Sequence, residues 1–102
     1  MKRKPPAPQF SPPAHLDDEA RRKWAEVLPV LETRGDIDQG TADALAAYCV
    51  AWSQWTAAEA QVQTLGLVVK SAGGFAQENP YLGIARKAQV AMRQWLDKLR
   101  KR

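Results

Sequence analysis

Between Asp38 and Gly66 the chain runs for about 27 residues without a proline, and Leu45, Tyr48, Cys49, Trp52, Trp55, Ala58, Val62 and Leu65 recur along it at threes and fours. That periodicity belongs to one face of an α-helix, and at 1.5 Å per residue the helix is roughly 40 Å long. Asp38 is placed to cap its start, with Ile37 before it as a staple residue, and Gly66 ends it. A helix of this length is long for a chain of 102 residues. Its apolar face needs more cover than one short helix can give, so a third helix or another copy of the chain must supply the rest.

Two further helices are legible on either side. Leu16, Ala20, Trp24, Val27, Leu28 and Leu31 form one apolar stripe that begins at Asp17 or Asp18 and ends at Gly35. Pro29 lacks the N–H that would reach back to residue 25, so the sequence predicts a kink or a restart there. Leu82, Ala85, Ala88, Met92, Trp95, Leu96 and Leu99 form the stripe of the last helix, which starts at Asn79-Pro80, a capping residue followed by proline in the first turn. Between the second and third helices, Leu67-Val-Val-Lys-Ser71 favours a strand, Ala72-Gly73-Gly74 a turn and Phe75-Ala-Gln-Glu78 a returning strand. A lone two-stranded hairpin is marginal in water, so it calls for cover from elsewhere. The expected fold is mainly α, a helical hairpin plus a C-terminal helix with a short β-hairpin insert.

Residues 1–14 hold five of the seven prolines and the basic tip Lys2-Arg3-Lys4. They read as a flexible arm, either a solubilising tail or a polyanion-touching segment, leaving 15–102 as a single α-helical domain with the hairpin at about 67–78. Prolines also stand where a signal peptide would need its apolar run, and no stretch approaches the ~20 apolar residues of a membrane span, so the expected location is cytoplasmic. The formal net charge of +4 favours polyanion partners. Arg86, Arg93 and Arg100 are spaced by seven and project to nearly one side of the last helix, with Lys87, Lys98, Lys101 and Arg102 nearby. A solvated helix face explains the last group almost as well as DNA or RNA does; if nucleic acid is the partner, the candidate contacts are Lys2, Arg3, Lys4, Arg86, Lys87, Arg93, Arg100, Lys101 and Arg102.

Catalytic chemistry finds no footing. His15 has no second histidine or nearby cysteine to share a metal, and Cys49 falls on an apolar helix face without a base to activate it. Gly73-Gly74 lacks the Gly-Lys-Ser/Thr ending of a phosphate loop and reads as a turn. Asp17, Asp18 and Glu19 are accounted for by helix capping. The four tryptophans all fit apolar helix faces, which assigns them to core or subunit packing rather than to base stacking. The reading is a non-enzyme that takes no cofactor, metal or small-molecule substrate.

The order of these elements and their residues carries more information than the charge does. "HLDDEARRKWAEVLPVLETRGDIDQGTADALAAYCVAWSQW" resembles the opening of a family of phage terminase small subunits, and "GLVVKSAGGFAQENPYLGIARKAQVAMRQWLDKL" resembles its continuation. The likeness covers roughly residues 12–99, with Leu16, Ala20, Trp24, Leu31, Gly35, Leu45, Tyr48, Cys49 and Trp52 at scaffold positions. Relatives usually continue into a Gly-Leu-Thr-Pro-like tail, and this sequence ends at Arg102. The resemblance implies a bacteriophage protein of the host cytoplasm. It would be a non-enzymatic homo-oligomeric ring that binds double-stranded viral DNA and regulates the ATPase and nuclease of a large terminase subunit. Trp52, Trp55, Leu67, Val69 and Phe75 are the candidate subunit interface, because a neighbour can cover the hairpin's open edges. Two other readings stand beside it. One is a helix-turn-helix regulator, against which the apolar second helix counts; the other is a helical adaptor with no nucleic-acid role.

Overall fold

Short polar side chains open every helix of the protein. In the computed structural model, which describes residues 10–35 and 37–100, Asp17 accepts a hydrogen bond from the Ala20 amide at 2.9 Å and starts α1 (Asp18–Arg34). Asp38 does the same for the Thr41 amide at 2.8 Å and starts α2 (Gln39–Leu65). Asn79 accepts from the Tyr81 amide at 3.0 Å and starts α3 (Pro80–Arg100). Such caps satisfy amides that the first helical turn leaves without a partner. Gly35 closes α1 in the left-handed region at φ 73°, returning its N–H to the carbonyls of Leu31 and Glu32. Between α2 and α3 stands an antiparallel hairpin, β1 (Val68–Lys70) and β2 (Ala76–Glu78), with Val69 opposite Gln77. The mainly α fold with one β-hairpin before the last helix is thus the one that the sequence predicts.

The helix lengths determine how the layers meet. α1 has 17 residues and α2 has 27, so at 1.5 Å per residue α1 spans only about 25 Å of a roughly 40 Å partner. It lies antiparallel along the first half of α2. At one end the chain turns through Gly35 to Asp38. At the other, the Ser53 hydroxyl donates to Asp17 at 2.6 Å and the Trp52 indole N–H donates to Glu19 at 3.0 Å. α3 returns along the whole of α2, and a donation from Arg34 to the Leu99 carbonyl at 3.1 Å fixes its far end beside the α1–α2 turn. The main core lies where all three helices meet. Leu16, Trp24, Leu28 and Leu31 pack on Leu45, Tyr48, Cys49 and Leu99 there, with Phe10, Ile37, Met92 and Trp95 around them. Cys49 is fully buried, and burial pushes its thiol up to about 12.

Beyond Ser53, α2 and α3 continue as a pair, and the residues they bury against each other are small: Ala58 and Val62 on α2, Ala85 and Ala88 on α3. Small contact residues let helix axes approach closely but bury little apolar area each. The hairpin at the tip has no buried face, since β2 is exposed throughout and only Val69 of β1 is half-buried. What secures it is Asn79, which has no solvent exposure. Its side-chain amide donates to the Gly66 carbonyl at 2.8 Å, its backbone N–H donates to the Leu67 carbonyl at 2.9 Å, and its side-chain oxygen caps α3.

Two expectations need revision. α1 passes through Pro29 as one helix, so the chain does not restart there. The missing bond falls on an exposed face, where the Ala25 carbonyl can be solvated, while Leu28 and Leu31 on the inner face hold the register. The acidic cluster at the start of α1 also does more than cap, because Asp17 and Glu19 each tie α1 to α2. Of the proline-rich segment, residues 1–9 lie outside the described residues. Phe10 packs against the core, and Arg21 donates to the Pro13 and Ala14 carbonyls.

Two measurements check this account. Asn79→Ala removes the cap and strands the Gly66 carbonyl, so urea unfolding should show a loss on the order of 2–3 kcal/mol. Asn79→Ser restores a capping oxygen alone and should recover about 1 kcal/mol of that; equal losses would mean that the cap contributes nothing. The second is acid unfolding. Hydrogen bonds from Ser53 and Ala20 hold the Asp17 carboxyl below its ordinary range, and bonds from Trp52 and Arg22 do so for Glu19. A depressed folded pKa gives stability that is present above the unfolded value and lost as pH falls through the folded one. Stability should therefore decline below about pH 4, and Asp17→Asn should flatten that decline. An unchanged slope would place the acid sensitivity on other carboxylates.

Candidate functional site

Cationic side chains are distributed very unevenly over the three helices. α2 contains no lysine or arginine at all, whereas α3 carries Arg86, Lys87, Arg93, Lys98 and Arg100 against the single carboxylate of Asp97. A spacing of seven drifts by only about 20° around a helix, so Arg86, Arg93 and Arg100 form one row. The surface bears this out. Arg86 and Arg93 flank a shallow groove with Gln89, Val90 and Asp97, and Arg93 and Arg100 flank the adjoining groove between α2 and α3. All three are exposed, and Arg86 is partly neutralised by Glu78 of the hairpin at 3.2 Å. Lys87 is exposed too but sits about 100° around the helix from Arg86, outside the row. Lys98 is turned toward the start of α2, beside Asp38 and Asp43, with its ammonium 5.6 Å from the Trp95 ring centre. Lys2, Arg3, Lys4, Lys101 and Arg102 lie outside the described residues.

The apolar candidates divide into two groups. Trp52 is engaged within its own chain. Its N–H goes to Glu19, the Lys23 ammonium lies 4.0 Å from its ring centre, and its ring meets Trp55 at 5.5 Å in a tilted arrangement. Such cation–aromatic contacts hold a half-buried ring in place. Trp55 lines the groove between α2 and α3 together with Tyr48, Met92 and Leu96, and its buried indole N–H has no partner among the described residues. The hairpin residues face solvent: Phe75 is 77% exposed, Leu67 64% and Val68 63%, with Val69 half-buried. Leu65, Ile84 and Val90 add exposed apolar area on the adjoining helices. Large exposed side chains concentrated in one part of a small protein mark a contact surface.

The sequence reading passed over three of these features. The Glu19–Trp52 and Asp17–Ser53 ties join residues more than thirty positions apart, for which a single sequence holds no signal. The groove itself was half visible, since Trp55, Met92 and Leu96 all stand on apolar stripes. That the stripes part there, leaving an indole N–H without an acceptor, follows only from how the helices cross. No group of three His, Cys, Asp or Glu side chains among the described residues is arranged to hold a metal ion. No helix among them is long and apolar enough to cross a membrane.

The hairpin turn gives a direct check on its role. Gly74 has φ 84°, and a Cβ placed there would meet no atom within 4 Å, so Gly74→Val acts through backbone strain alone. The expected cost is on the order of 1–3 kcal/mol, confined to the hairpin. Helical circular dichroism should stay at the wild-type level, and if the hairpin is a subunit contact, light scattering should show a smaller particle than the wild type. A loss of helix with association retained would place the hairpin in the protomer core.

Comparison with known proteins gives one match. The family model described as phage terminase, small subunit, matches residues 20–100, which takes in most of α1, all of α2, the hairpin and α3. No curated protein and no solved structure matches the chain.

Proposed function

The chain belongs to the phage terminase small-subunit family, and from that premise we propose that it forms a non-enzymatic homo-oligomeric ring in the host cytoplasm. This ring binds double-stranded viral DNA and regulates the large terminase subunit. The observation that carries the reading is the family match across the α2–hairpin–α3 unit, in which apolar side chains and strand edges stand uncovered in the protomer. A two-stranded hairpin with both faces in water is a poor element for a protein to keep unless something covers it.

DNA contact in this reading is electrostatic. The Arg86–Arg93–Arg100 row, Lys87 and the basic chain ends Lys2-Arg3-Lys4 and Lys101-Arg102 offer charge for phosphates. Gln89 shares the row with Arg86 and Arg93 but stands beside Val90 and Asp97, so we assign the row to phosphates rather than to base edges. α2 makes a poor recognition helix, because it has no cation to meet a phosphate. A protomer with three or four phosphate contacts binds weakly, and a ring repeating them gains through avidity.

Each phosphate contact adds about −0.9 to the slope of log affinity against log salt. Replacing Arg100, Lys101 and Arg102 with alanine should lower affinity on all duplexes alike and flatten that slope with the oligomer intact. Deleting residues 1–4 should act in the same direction. If neither changes the binding, the contact rests on Arg86, Lys87 and Arg93, and their alanine variants should then abolish it. A wild-type protein that binds no duplex at low salt would favour the adaptor reading over this one.

A further inference from the structure

The protomer holds two unsatisfied surfaces of complementary kind. The first is the groove of about 600 Å³ between α2 and α3, floored by Tyr48, Trp55, Met92 and Leu96 and rimmed by Arg93 and Arg100. Its polar lining is Tyr48, Gln89, Arg93, Arg100 and the carboxylate of Asp97, and the Trp55 indole N–H, like that of Trp24 in the core, is buried without an acceptor among the described residues. Three residues earlier on the same helix, the Trp52 N–H is met by Glu19. A buried N–H is normally paired, so the floor of this groove calls for an apolar group that brings an acceptor with it. The second surface is the hairpin. Phe75 is its most exposed large apolar side chain, and the ladder pairs residues 67, 69 and 71 with 79, 77 and 75. The alternate residues Val68, Lys70, Ala76 and Glu78 therefore turn their backbone N–H and C=O groups outward along two open edges. The Ala76 carbonyl, next along from Phe75, is one of these open acceptors, while the Glu78 carboxylate is held by Arg86 of its own chain.

The two surfaces do not meet within one chain. Phe75 is solvent-exposed, and the groove lies on the last half of α3 while the hairpin joins its start. From Pro80 to Gln89 the helix alone advances about 14 Å, which parts the groove from the end of the hairpin. We infer that the hairpin of one subunit seats Phe75 in the α2–α3 groove of the next, with an edge carbonyl accepting the Trp55 N–H. Knob and groove are different parts of the protein, so the contact is heterologous, and a repeated heterologous contact closes into a ring when its rotation permits. This inference rests on the proposed assembly and specifies which surfaces make it. Arg93 and Arg100 stay at the rim and remain open to solvent.

Disulfide trapping in the full-length chain tests it. Gln77→Cys lies on the Phe75 side of β2 and Gln89→Cys on the groove; both positions are polar and exposed, so neither substitution disturbs packing. Native Cys49 can stay, since it is fully buried and its thiol is pushed up to about 12. A disulfide needs Cα atoms within about 7 Å, and a mixture of the two single variants reads only contacts between chains. Under mild oxidation the double variant should give a covalent ladder on non-reducing gels, ending at the mass of the native assembly. Each single variant should give none, and an equimolar mixture of the two should give cross-linked dimers. An intact oligomer by native mass measurement with no ladder would overturn the inference and leave the assembly standing. Cross-linking of Gln77→Cys alone would overturn it as well, by showing hairpin against hairpin. A wild-type chain that is monomeric at tens of micromolar would remove the assembly itself.

Discussion

One buried amide holds the outer half of this protein together. The helix pair beyond Ser53 is packed through alanines, and alanine burial contributes little per residue. The hairpin at its tip has no packed face. Asn79 supplies what packing does not. In a site with no solvent exposure it bonds the end of α2, the base of β1 and the start of α3. Hydrogen bonds made in such a place are strong because the alternative is an unsatisfied polar group. One side chain therefore marks where α3 begins its return along α2, and with the exposed Arg86–Glu78 pair it sets how the hairpin leaves the body.

This explains which parts of the fold are legible from sequence and which are not. Helix ends are decided within a few residues by groups that the sequence displays, such as Asp38 before α2, Gly35 after α1 and Asn79-Pro80 before α3, and the structure places them there. Of the kink or restart expected at Pro29, the restart does not occur, because the rule behind it assumes that the lost hydrogen bond matters. On an exposed face stabilised from behind by Leu28 and Leu31, it matters little. The long-range half of Asn79's role, its bond to the Gly66 carbonyl, has no local signature. The same holds for Glu19 and Asp17, whose capping positions hide their ties to Trp52 and Ser53. Of the candidate DNA contacts, the arginine spacing correctly gathers Arg86, Arg93 and Arg100 on one side. Lys87 departs from them for the reason that helical neighbours always do, a rotation of about 100° per residue.

The distribution of charge bears on how a small helical chain can serve two kinds of partner. Self-association needs apolar area that water does not strongly solvate, while DNA contact needs cations that stay hydrated until they meet phosphate. Mixing the two on one surface would bury charge at the subunit contact, which is costly without a close counter-charge. Here the two adjoin only at the α2–α3 groove, where Arg93 and Arg100 stand at the rim. The hairpin carries Phe75, Leu67 and Val68 with only Lys70 and Glu78 as charged strand residues, and α2 carries no cation at all. The net positive charge of the described helices gathers on α3, since the four cations of α1 are matched by four carboxylates, and on α3 it favours the flank that Arg86, Arg93 and Arg100 share. In the proposed ring each hairpin would be taken up by a neighbour, and the arginine rows would recur once per subunit. Phosphates at fixed spacing could then be met by several rows at once, each of them too weak to hold a duplex alone.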